Sequence, residues 1–154
     1  MTTVLGFRAD PSAARYAIVE DNGQGISLRN AATESRLSYP ADVTEPSSKV
    51  LWLYREIERI FHAHPAIERV VIKTNEYVGR ENKAKRTSSY TEAAVLLFCE
   101  QKQIPVEIKT YASLGTSSGD VKGHAEQRAG RTSKYWDSKI ADAIVAAVWG
   151  ARQP

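Results

Sequence analysis

The chain has 154 residues, 42% apolar and 25% charged, with 21 Lys and Arg against 18 Asp and Glu and a net charge of +3. That length and balance describe a single folded domain, 1–154, and exclude disordered, collagen-like and low-complexity chains. No apolar run approaches the ~18 residues of a membrane-spanning helix. Met1–Arg8 lacks a secretory pattern and Cys99 stands alone, so a cytoplasmic chain with no membrane partner and no disulfide is expected.

Residues 2–8 (TTVLGFR) predict a first strand, apolar and β-branched. Asp10-Pro11-Ser12 is turn chemistry, and Arg15–Glu20 predicts a returning second strand. Asp21-Asn22-Gly23 signals a hairpin, followed by a third strand from Gly25 to about Leu37. Lys49–Ala63 reads as a helix, since Val50, Leu53, Tyr54, Ile57, Ile60 and Phe61 form one apolar stripe that stops before Pro65. Residues 67–74 (IERVVIKT) predict a fourth strand, parallel to the first because a helix precedes it.

Gly79–Ser88 reads as a polar loop, and Ser89 with Glu92 has capping-box spacing for a second helix ending near Gln103. Cys99, beside Phe98 on that helix, is expected in the core. Ile104–Tyr111 predicts a fifth strand, and 113–133, polar and Gly-rich, a long mobile loop. Tyr135–Ala151 predicts the last helix, with Trp136, Ile140, Ala143, Ile144, Ala147 and Val148 as its core stripe. The expected architecture is an α/β fold. Its mixed sheet has five strands, three antiparallel and then two parallel, with about three helices and right-handed crossovers.

Three stretches carry a resemblance: Val4-Leu5-Gly6-Phe7-Arg8-Ala9-Asp10-Pro11, Val70-Val71-Ile72-Lys73 with Glu76 beyond it, and Lys139-Ile140-Ala141-Asp142-Ala143-Ile144-Val145. Together with the element order they resemble the ribonuclease-H-like superfamily, in its branch of RuvC-type Holliday-junction resolvases. That resemblance implies a cleft where about four carboxylates hold two Mg²⁺ or Mn²⁺ ions for phosphodiester cleavage. In the tightest register three of those acids are replaced by cations, Arg8, Lys73 and Lys139, and only Asp142 keeps its place. A looser register offers Asp10, Glu76, Asp137 and Asp142 as catalytic residues, with Asp10, Glu76 and Asp142 as metal ligands. Asp137 and Asp142 lie about 140° apart around a helix and share no face. Asp137 also suits a helix start, where an acid faces the dipole.

The stretch 79–88 carries Arg80, Lys83, Lys85 and Arg86 against Glu81 alone. Such cations displace counterions from a phosphate backbone. Tyr77 and Tyr90 flank it and have rings that suit stacking on bases. The leading expectation is a nucleic-acid-binding protein, with DNA or RNA as partner, using Arg8, Lys73, Lys139 and the four cations of this stretch, its metal site degenerate. The alternatives are a Mg²⁺- or Mn²⁺-dependent nuclease, and a protein-interaction subunit forming a homo-oligomer or joining a partner protein.

Overall fold

The computed structural model describes all 154 residues. Strand β1 (Thr2–Arg8) turns through 9–12 into β2 (Ala13–Asp21), and the two pair antiparallel from Thr2 with Asp21 to Arg8 with Arg15. The single third strand expected over 25–37 is instead two short ones, β3 (Ile26–Leu28) and β4 (Arg36–Ser38), both antiparallel to β2. Asn30 explains the break. Its buried side chain accepts from the Ile18 N–H and donates to the Tyr16 and Glu34 carbonyls, standing in for ladder partners while the backbone turns.

Helix α1 (Pro46–Ala63) starts three residues before the expected Lys49, on a proline at its first position, where no N–H is needed. It leads to β5 (Arg69–Lys73), parallel to β1 as expected. Helix α2 (Lys83–Lys102) begins earlier than the Ser89 spacing suggests. Asn82 is the N-cap, its side chain accepting from the Lys85 N–H at 2.8 Å. Ser89 lies inside the helix and bonds back to the Lys85 carbonyl, so three of the four cations placed in a loop are in the first turn of α2.

Strand β6 (Val106–Lys109) pairs parallel with β5. The segment read as a 113–133 loop holds a short 3₁₀ turn (Ala112–Leu114) and helix α3 (Val121–Arg128). Val121 and Ala125 of α3 are buried in the core beneath α4 (Ser138–Ala151). With Gly123 and five polar residues in eight, α3 shows no apolar stripe for periodicity to find. The sheet thus has six strands in the order β3-β2-β1-β5-β6, with β4 also on β2, and four α-helices cover it.

Two apolar layers hold the sheet. Leu5, Phe7, Ile18, Val70 and Ile72 face α1 and α2 together with Phe98 and Cys99. Val4, Ala17, Val19 and Val71 face α4. Helix α4 approaches β1 so closely that a Cβ on Gly6 would stand 1.9 Å from the Ala143 carbonyl oxygen. Glycine on the strand and Ala141, Ala143, Ala146 and Ala147 on the helix make that approach possible, and it presses the start of α4 onto the C-terminal ends of β1 and β5. No helix is long and apolar enough to cross a membrane.

Candidate nucleic-acid interface

Strand register builds the site. Arg36 on β4 is paired with Arg15 on β2, and Arg15 with Arg8 on β1. The parallel register that sets Phe7 beside Ile72 brings Lys73 alongside Arg8, and Lys73 is paired with Lys109 on β6. Cross-strand partners share a sheet face, so five cations stand in one row on the α4 side. At strand spacing the row is about 19 Å long.

Most of this positive charge is answered locally. Arg8 Nε donates to Asp142 Oδ2 at 2.9 Å, and the Tyr111 hydroxyl donates to the other oxygen, Oδ1, at 2.8 Å. Both side chains of the Arg8–Asp142 pair are almost fully enclosed, at 6% and 1% exposed. Arg15 meets Asp137 at 2.9 Å and Asp10 at 3.5 Å. Lys73 Nζ lies 3.3 Å from Glu76, donates to the Thr74 carbonyl, and sits 3.8 Å from the centre of the Tyr111 ring. Lys109 pairs with Glu107 at 3.1 Å and lies over Trp149 of α4. Lys139, from the first turn of α4, reaches Asp10 at 4.0 Å.

Burial sets the electrostatics. Desolvation pushes the Asp142 carboxyl up, against the pull of Arg8 and the Tyr111 hydroxyl. It holds the Lys73 ammonium below the ordinary lysine range, helped by the Arg8 charge, and does the same for Lys139. Glu92 of α2, which accepts from the Thr74 hydroxyl at 2.9 Å, is likewise raised by burial. At Asp137 burial is outweighed by the N–H of Ile140 and the Arg15 guanidinium, which hold the carboxyl below its usual range. Asp137 is the N-cap of α4, consistent with its reading as an acid at a helix start.

The structure therefore brings Asp10, Glu76, Asp137 and Asp142 to one end of the sheet, each against a cation. No group of three or more His, Cys, Asp or Glu side chains gathers as a metal cluster would require. Arg8 and Lys73 are buried, and a phosphate outside has no access to them. Lys139 is half-buried, and Arg80, Lys83 and Arg86 are exposed. Lys85 donates to the Val78 carbonyl, and Arg86 is paired with Glu81 at 2.7 Å. Arg80, Lys83 and Lys85 make no ion pair, and Arg80 and Lys83 make no side-chain hydrogen bond either. Tyr77 and Val78 stand well exposed beside them.

Arg15, Arg36, Lys109, Tyr111 and Glu92 were not singled out as site residues in the sequence. For the first three the missing signal is register: spacing along the chain does not say which residues of different strands align.

Solved structures can be set beside this geometry. Thermus thermophilus RuvC in complex with a Holliday junction superposes with a TM-score of 0.76 at 14% identity, covering 96% of this chain and 91% of that one. RuvC from the same organism in a second structure gives 0.74 at 15% identity, covering 96% and 92%. The fold is ribonuclease-H-like, of the RuvC type. The yeast mitochondrial Holliday junction resolvase Ydc2 superposes less closely, with a TM-score of 0.57 at 12% identity over 96% and 76% of the two chains. No protein-family model matches the sequence, and no curated protein does.

Proposed function

We propose that this RuvC-type chain binds nucleic acid at the C-terminal end of β1 and β5 without the divalent metals that the resemblance implies. The observation that carries this reading is the cation row. Asp10, Glu76, Asp137 and Asp142 each already have a cationic partner, Glu92 is held by the Thr74 hydroxyl instead, and a divalent ion at Asp142 would face the buried Arg8 and Lys73 charges. Mg²⁺ takes hard oxygen ligands and repels neighbouring cations, so this donor set does not suit it. Internal ion pairs fill the place of the metal centre, and the start of α4 is held to the sheet by them.

Contact with the backbone falls to the cations around the rim. Arg80 and Lys83 stand at the start of α2, Lys139 at the start of α4, and Tyr77 projects beside them with a ring suited to a base. A Thermus RuvC of the same fold is seen on a Holliday junction, which supports branched DNA as the first substrate to test.

The experiment is incubation of labelled branched, duplex and single-stranded DNA and RNA with Mg²⁺ or Mn²⁺, beside the Asp142→Asn variant. Binding without cleavage in both proteins is the expected result. Metal-dependent cleavage that Asp142→Asn abolishes would establish the nuclease reading in its place.

A further inference from the structure

Arg36 is the one cation of the row with no carboxylate partner. Its guanidinium instead lies 5.0 Å from the centre of the Tyr135 ring, and its Nε is buried without a hydrogen-bond partner. Tyr135 is 57% exposed, and it holds φ at +59°, a left-handed backbone that a bulky side chain rarely adopts. The chain on both sides is pinned in that shape. The Ser133 N–H donates to the Ala31 carbonyl at 2.8 Å, the Thr132 hydroxyl donates to the Lys134 carbonyl at 2.8 Å, and Asp137 is fixed by Arg15 and by capping α4.

Two cations, Arg131 and Lys134, precede two rings, Tyr135 and Trp136, along this segment. Arg131 lies 5.3 Å over Trp136 and 3.9 Å from Glu126 in an exposed pair, Lys134 is exposed with no ion pair, and Tyr135 projects next to it. A strained residue that exposes its ring gains little for the core, since the ring is largely in water. What the arrangement offers is a π-face backed by a guanidinium, beside the unpaired charge of Lys134 and the exposed Arg131, at the edge of the sheet away from β6.

Resting on the nucleic-acid reading above, we propose that Tyr135, backed by Arg36, is a stacking platform for an unpaired base of single-stranded nucleic acid. Lys134 and Arg131 would take its flanking phosphates. Stacking needs an exposed base face, which a continuous duplex withholds. This site therefore favours single strands over duplex, whereas the rim cations Arg80 and Lys83 serve both.

The test is fluorescence anisotropy with a labelled single-stranded oligonucleotide and the blunt duplex of the same sequence. The proteins are the wild type, Tyr135→Ala, Tyr135→Phe and Tyr135→Gly. Tyr135→Ala is expected to weaken single-strand binding roughly tenfold and leave duplex binding unchanged, with Tyr135→Phe close to wild type. Tyr135→Gly is expected to lose the same affinity while melting no lower than Tyr135→Ala, because glycine accepts this backbone without strain. Loss on both substrates alike, loss on neither, or a Tyr135→Phe that behaves like Tyr135→Ala would overturn the platform and leave the broader reading standing. A wild type that binds neither substrate would overturn the broader reading itself.

Discussion

Two groups of positive charge lie close in this molecule and do opposite things. The row under α4, from Arg36 to Lys109, is largely enclosed and mostly spent on its own carboxylates. The group at the start of α2 faces water, with Arg80 and Lys83 free of any ion pair. Charge of the same sign is structure in the first place and, on the proposed reading, a binding surface in the second. What separates them is burial: an enclosed charge must find a partner within the protein, and an exposed one is left for a ligand.

The sharpest way to break this contrast is to remove a partner from the enclosed row. Asp142→Ala leaves the Arg8 guanidinium buried and unpaired, and should cost roughly 3–5 kcal/mol in denaturant unfolding. Adding Arg8→Met should recover much of that loss, because the uncompensated charge is then gone. A double variant as unstable as the single one would show that the pair is not the source.

A smaller effect is expected from pH. The folded state holds Lys73 below the ordinary lysine value of 10.5, so the unfolded chain keeps that proton to higher pH. Stability carried by Lys73 therefore rises with pH from its lowered value up to the ordinary lysine range. Thermal melting as a function of pH should show this rise in the wild type relative to Lys73→Met. A steeper rise in Lys73→Met would reverse the assigned sign.

On the exposed side the effects shrink. Asn82→Ala removes the N-cap of α2 and should cost about 1 kcal/mol, read by chemical denaturation. Lys83→Ala should leave stability within about 0.5 kcal/mol. It should lower the slope of log affinity against log salt by about one, as expected for one lost phosphate contact. A large loss of stability in Lys83→Ala would place this group with the enclosed row.

How much of this was legible in the sequence follows from the kind of signal each part carries. Strands β1 and β5 and the stripe of α1 write their burial into local periodicity and stand near where the pattern puts them. Helix α4, by contrast, starts at Ser138, three residues later than expected, leaves Tyr135 and Trp136 outside it, and is buried on nearly every face. Arg8, Lys73 and Lys139 stand where the resemblance implies acids, and the structure shows the first of them paired to Asp142. The split of the third strand was hidden because one buried side chain, Asn30, replaces ladder bonds. Helix α3 was hidden because α4 covers just two of its residues, too few to make a stripe. The cation row was hidden because it exists only across strands.

The most direct test of metal-free binding is a salt titration of affinity for a four-way DNA junction, run once in EDTA and once in Mg²⁺. Equal affinities, both falling steeply with salt, are the result expected of a surface that works through Arg80, Lys83 and Lys139 with Asp10, Glu76, Asp137 and Asp142 already paired. Binding that disappears in EDTA and returns with Mg²⁺ would contradict it.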